Sequence, residues 1–269
     1  MNRPSPKVTT GATLLFLAAL FSGCRFADRL KARDHLNRGV KAYSAEKYEQ
    51  AIQHFNAAIE LDPELTDAFL YLATTYRAQW IPGANNESNL QRADRAIRTF
   101  EEVLEKAPGG SAASINATAN IAGIYGGLEQ PDKAKEWYLK RLEIEPNNAE
   151  PYYGIGTIDW KIAHDKTGNN GDNADNLSDE ERERVAALVD EGVESLKKAL
   201  EIDPEYSEAM QYLNLLYRER AYLSQDEEEK GSWQKEALKL ALRALEIKRK
   251  QEAEAERARR TFTGAAEHN

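Results

Sequence analysis

Ala58-Ile59-Glu60-Leu61-Asp62-Pro63, Leu142-Glu143-Ile144-Glu145-Pro146 and Ala199-Leu200-Glu201-Ile202-Asp203-Pro204 are variants of one phrase, and each closes an apolar-periodic run at a proline. Proline has no amide hydrogen and pushes the residue before it towards extended backbone, so a helix is expected to stop just ahead of each one. Small residues and an aromatic or aliphatic side chain fall at helical spacing upstream: Ala51, Phe55 and Ala58 before Pro63; Ala96, Phe100 and Val103 before Pro108; Ala134 and Tyr138 before Pro146; Gly192, Leu196 and Ala199 before Pro204. Reading forward gives a second helix per unit, marked by Phe69, Leu72, Ala73 and Tyr76, by Ile121, Ala122 and Tyr125, by Tyr152, Ile155 and Gly156, and by Met210, Leu213 and Tyr217. Small residues let two helices approach closely, and the aromatics fill the space beside them.

This pattern resembles the tetratricopeptide repeat, a helix-turn-helix unit of about 34 residues with Leu-Gly, Tyr, Ala, Phe and Pro at fixed spacings. The resemblance implies an all-α fold, a right-handed superhelical solenoid of about five repeats over residues 32–248. The first unit carries His35 and Arg38 where the pattern wants apolar residues, as suits a terminal unit with no neighbour on that side. Extra residues suggest inserted loops near 78–91, 161–186 and 222–234, projecting from one edge of the solenoid, and Gly126-Gly127 reads as the internal turn of the third unit. Residues 249–260 read as a charged C-terminal helix and 261–269 as a disordered tail.

Ahead of the repeats, Arg3 and Lys7 precede an apolar run from Ala12 to Phe21, the pattern of an export signal over residues 1–23. The run is too short to span a bilayer, which takes about 20 apolar residues. Phe21-Ser22-Gly23-Cys24 resembles the bacterial lipobox. That resemblance implies cleavage before Cys24, lipidation of its thiol, and a lipid-anchored N-terminus over residues 24–31. Arg25, in place of Asp, implies sorting to the outer membrane, facing the periplasm. Losing Arg3 and Lys7 takes the net charge from −9 to −11. Residues 25–41 remain locally basic, with Arg25, Arg29, Lys31, Arg33, Arg38 and Lys41 against Asp28 and Asp34, and are placed to contact anionic lipid.

The acidic balance argues against nucleic acid as a partner, and a mean hydropathy of −0.69 argues against a polytopic membrane protein. One cysteine excludes a disulfide framework. His35, His54, His164 and His268 show no metal-ligand spacing on a helix, and no glycine-rich loop runs into Lys-Ser or Lys-Thr, so neither an enzyme nor a bound metal or cofactor is expected. The segment 164–176, rich in Asp and Asn, supplies the alternative reading, a small-ligand or calcium site. Counting back from Gly168 or Gly171 to the first position of an EF-hand loop reaches Ala163 or Lys166, neither of which is a ligand. Ser178 with Glu181 three residues on reads as a capping box.

In tetratricopeptide proteins the first helix of each unit lines a groove that holds a peptide or partner helix. Carried over by position, the groove residues are Val40 and Tyr43, Leu70, Thr74 and Arg77, Asn116, Tyr153, Thr157 and Trp160, and Gln211, Leu215 and Arg218. Tyr43, Arg77, Tyr153, Trp160 and Arg218 are of the types that most often dominate binding energy. Leu36 and Val40 stand where the chaperone-binding subset carries Lys and Asn for a terminal carboxylate, which favours an apolar or mixed ligand. The expected function is an envelope-anchored scaffold or assembly factor that binds an envelope protein or peptide in this groove.

Overall fold

The computed structural model describes the backbone of residues 10–266 and the side chains of residues 25–257. Among them every regular element is a helix. The chain divides into two compact units, Met1–Glu129 and Gln130–Asn269. The first holds α1 (Thr10–Ser44), α2 (Tyr48–Leu61), α3 (Thr66–Gln79), α4 (Glu87–Lys106) and α5 (Ala112–Gly127). The second holds α6 (Pro131–Ile144), α7 (Ala149–Thr167), two single 3-10 turns, α8 (Asp179–Ile202), α9 (Ser207–Leu223) and α10 (Glu227–Ala266).

The prolines act as the sequence demands. Helices α2, α4, α6 and α8 end at Leu61, Lys106, Ile144 and Ile202, two positions before Pro63, Pro108, Pro146 and Pro204. The intervening residues Asp62, Ala107, Glu145 and Asp203 leave the helical region, with ψ between 69° and 137°. Within each unit the helices pack on their neighbours in sequence, α1 on α2 and α3 on α4 in the first, α7 on α8 and α9 on α10 in the second. In the first unit Ala51 and Phe55 of α2 and Leu72 of α3 are buried together. In the second, Val185, Val189, Val193 and Leu196 of α8 close on Leu213, Leu216 and Tyr217 of α9. Gly39 and Gly154 let the paired helices touch: a Cβ at either position would lie 2.4 Å from a ring carbon of Phe55 or Tyr138.

The expected inserted loops are shorter than their sequence limits, because local caps extend the helices into them. Near 78–91 only residues 80–86 leave the helix; Asn86 caps α4, and the buried Asn89 side chain donates to the Ile81 and Ala84 carbonyls and accepts from the Ile81 amide. Near 161–186, α7 continues to Thr167 and α8 starts at Asp179 behind the Ser178–Glu181 capping box. The linker between them is held down by Arg182, which donates to the Ala174 and Leu223 carbonyls. Near 222–234 residues 224–226 alone connect the helices, since Asp226 accepts from the Glu229 amide at 2.7 Å and three glutamates fill the first turn of α10. These bonds tie each segment to the helices beside it.

Two further expectations change. Gly126 and Gly127 end α5, with Trp80 packed on Gly127, and the internal turn falls at Leu128–Gln130, where Glu129 has a φ of 57°. The tail has no break at 248 or 260: α10 runs as one helix to Ala266, with no proline to stop it, and Lys250 reaches Glu205 at 3.1 Å. Residues 267–269, at the end of the tail expected to be disordered, lie outside the described residues, as do residues 1–9 and every side chain of the signal segment.

Candidate functional site

On α7, Tyr153, Thr157 and Trp160 fall at intervals of four and three residues, so they share one helix face, and His164 continues it by one more turn. The facing α9 brings Tyr212, Leu215, Arg218, Glu219 and Tyr222. The rings form a strip: Tyr206 lies 5.1 Å from Tyr153, Tyr153 lies 5.6 Å from Tyr212, Tyr212 lies 5.2 Å from Trp160, and Trp160 stacks on His164 at 5.1 Å, all between centroids. All five are half-buried, resting on the core of the second unit with an edge left open. Edge-to-face and stacked contacts of this kind hold rings in fixed orientations.

The strip leads into a cleft lined by Trp160, His164, Asn170, Leu215, Arg218 and Tyr222. Arg218 is exposed and donates to the Tyr222 hydroxyl at 3.0 Å and to Asn170 Oδ1 at 3.4 Å, which holds the guanidinium at the mouth. At the floor, Glu219 is 3% exposed, and its carboxylate meets His164 Nδ1 at 3.1 Å and the Thr167 hydroxyl at 2.5 Å. A buried carboxylate with both oxygens engaged fixes the imidazole and, through stacking, the indole. Burial pushes the Tyr206 phenol up to about 12, helped by Tyr153 and nearby carboxylates, and burial raises Tyr153 as well. Both hydroxyls stay protonated near neutrality and remain hydrogen-bond donors.

Beneath the site lies a second ionic cluster. Asp159 of α7 is completely buried, and its Oδ1 accepts from Lys135 Nζ at 2.9 Å; Lys135 also reaches Glu191 at 2.8 Å. Burial pushes the Asp159 carboxyl up to about 6, against the opposing pull of Lys135.

The structure therefore gathers Tyr153, Trp160, Leu215 and Arg218 of the expected residues. Thr157 lies on the same face with its hydroxyl bonded to the Gly154 carbonyl, and Gln211 shares with Leu215 a separate depression against α10, beside Ala241, Ala244, Leu245 and Lys248. Val40 and Tyr43 belong to the first unit and pack on its Phe55 and Leu72 cluster. Leu70 and Thr74 are half-buried on α3, Arg77 is exposed there, and Asn116 on α5 accepts from Asn120. Cys24 lies within α1, and its side chain is outside the described ones. The segment 164–176 does not gather its oxygens: Asp165 pairs with Lys161, Asn173 donates to the Lys166 carbonyl, and His164 turns to Glu219. Among the described residues no group of three or more His, Cys, Asp or Glu side chains converges, and no helix is long and apolar enough to cross a membrane. Glu219 was missed from the sequence, and His164 was named there only among the histidines and as the first residue of the segment 164–176. The available signal was Glu219 falling on the buried period between Leu216 and Leu223.

Two segments, residues 32–65 and 116–148, match the tetratricopeptide repeat family. The mitochondrial import receptor subunit TOM70 of Rattus norvegicus is 27% identical over 177 residues, covering 65% of this chain and 24% of the receptor, and that of Homo sapiens is 28% identical over 167 residues, covering 62% and 22%. The chain thus spans about a quarter of the length of these relatives. Among solved structures, MamA superposes with a TM-score of 0.57 at 17% identity, covering 83% of this chain and 94% of that one. YrrB, described as a TPR protein with an unusual peptide-binding site, gives 0.50 at 17% identity, covering 80% and 90%. At such identity the likeness is one of fold.

Proposed function

We propose that this chain, a tetratricopeptide-repeat protein, is an exported, lipid-anchored scaffold that holds an extended or amphipathic segment of an envelope protein against α7 and α9 of its second unit. The observation that carries the reading is the half-buried strip Tyr206, Tyr153, Tyr212, Trp160 and His164, which ends at the Arg218 cleft. Aromatic surfaces already held in place lose little entropy on binding, and Tyr, Trp and Arg are the side chains that most often dominate a protein interface. The strip offers flat apolar faces and phenolic donors along its length and a cation at one end. That composition suits a mixed ligand, with a backbone to accept the donors and an apolar side chain to cover the rings. The peptide-binding site described for YrrB and the receptor role in the TOM70 name are in keeping with binding as the function, without catalysis.

The address rests on the sequence: Arg3 and Lys7, the apolar run to Phe21, and Cys24 at the end of a lipobox-like tetrapeptide. Cleavage before Cys24 would leave α1 to begin at the lipidated residue. Its exposed Arg25, Arg29, Arg33 and Lys41 would then lie next to the outer-membrane surface, each gaining about 1 kcal/mol near anionic headgroups. Incorporation of a labelled fatty acid in wild type, and its loss in Cys24→Ser with the protein moving to the soluble periplasmic fraction, is the expected result. Unchanged fractionation of the variant refutes the anchor.

The groove is tested by crosslinking and capture from native envelopes, comparing wild type with Trp160→Ala and with Arg218→Glu. Arg218 is exposed, so its reversal leaves the fold intact. Loss of one captured protein in both variants, at unchanged circular dichroism, supports the groove. Equal capture by wild type and both variants overturns it.

A further inference from the structure

We propose that His35 and His54 form a two-imidazole site for a divalent transition ion of the Zn²⁺ class in the first repeat. Separated by 19 residues, one on α1 and one on α2, they meet across the first helix pair with Nδ1 atoms 3.2 Å apart. The ring centroids are 5.4 Å apart and the planes are tilted by 51°. Both side chains are half-buried, so the nitrogens are sheltered and still reachable from solvent.

The distance accommodates an ion as well as a shared proton. Zinc lies about 2.0–2.1 Å from an imidazole nitrogen, so two such ligands stand about 2.9 Å apart at a right angle and about 3.4 Å apart at the tetrahedral angle. The observed 3.2 Å falls inside that interval, and it lies at the long end for a hydrogen bond from a ring N–H. Two Nδ1–H groups cannot face each other at this distance, so at least one nitrogen presents a lone pair, and an ion takes the place of the single shared proton.

The surroundings fit a modest site. On α1 the neighbouring cations Lys31 and Arg38 are paired with Asp28 at 3.7 Å and Asp34 at 2.9 Å, which blunts their repulsion. On α2 the flanking positions are Gln50, Gln53 and Ala57, all uncharged. Imidazole ligands select Zn²⁺, Ni²⁺ or Cu²⁺ over Mg²⁺ and Ca²⁺, which prefer oxygen. With two protein ligands, water fills the remaining positions, and the ion ties α1 to α2. His35 also stands where the repeat pattern has an apolar residue, a place that a terminal unit leaves open to a polar side chain.

The test is calorimetric titration of Zn²⁺, with Mg²⁺ as control, into the tag-free full chain carrying Cys24→Ser so that no thiol competes. Its variants are His35→Leu and His54→Gln. His35→Leu supplies the apolar residue the repeat calls for and keeps the fold, as circular dichroism will confirm. Loss of even an outer-shell partner costs about 10–100-fold in metal affinity, so each variant should lose at least about tenfold. One Zn²⁺ per chain, a thermal midpoint that rises with Zn²⁺ in the parent alone, and no response to Mg²⁺ support the site. No Zn²⁺ binding by the parent, or binding retained in His35→Leu, overturns it and leaves a hydrogen-bonded pair of imidazoles.

Discussion

Replacing Asp159 by Asn should make the second unit more stable at pH 8. Asp159 is fully buried; Lys135 reaches one carboxylate oxygen, and the other has no hydrogen-bond partner. Burial outweighs the attraction of Lys135 and pushes the carboxyl from an ordinary 3.8 up to about 6. The folded state therefore holds this proton more tightly than the unfolded chain does. The stability it contributes is complete below about 3.8, falls as pH rises, and is gone once pH has passed through about 6. That interval is on the order of 3 kcal/mol. Asn has the shape of the protonated acid and keeps an oxygen for Lys135, which retains Glu191 at 2.8 Å. The variant should gain up to about 3 kcal/mol at pH 8, match wild type near pH 4, and show a flatter profile between them. Urea unfolding followed by tryptophan fluorescence suits the assay, since Trp137, Trp160 and Trp233 lie in this unit. A loss of more than about 1 kcal/mol at pH 8, with the slope against pH unchanged, would mean that the Lys135 pair outweighs the cost of burying the charge.

Two other substitutions probe the backbone. Gly154→Ala drives a methyl into the Tyr138 ring, 2.4 Å from the ideal Cβ, and should cost about 1–3 kcal/mol in urea unfolding; a neutral result would show that the ring swings away freely. Glu129→Gly relieves a left-handed φ of 57° in the turn between α5 and α6 and should raise stability by about 0.5–1 kcal/mol, visible as a higher thermal midpoint. Glu46, with the same φ in the turn between α1 and α2, should respond alike.

The helix ends were legible because their causes are local. A proline beyond the first turn stops the helix before it, so Leu61, Lys106, Ile144 and Ile202 follow from one residue type, while Pro151 is accommodated in the first turn of α7. The loop limits were less legible, since Asn86, Ser178 and Asp226 each start a helix inside a stretch whose excess length suggested a projection. Position on a helix face was enough to place Trp160, Leu215 and Arg218 along one cleft, whereas Val40 and Tyr43 lie in the first unit, partly buried against Phe55 and Leu72. His164 with Glu219 is a pair separated by 55 residues, and His35 with His54 one separated by 19. Each of those histidines reads as solitary along the chain, because only folding supplies its partner.

Within each unit the most extensive packing joins helices adjacent in sequence, as in α1 with α2, α3 with α4, α7 with α8 and α9 with α10. The entropy of closing such short loops is small and is recovered within a single helix pair. Ordering can therefore begin at any pair and spread to its neighbours, and topology of this kind goes with rapid folding. A chain built in this way acquires structure as it emerges, pair by pair, while its far end is still being made.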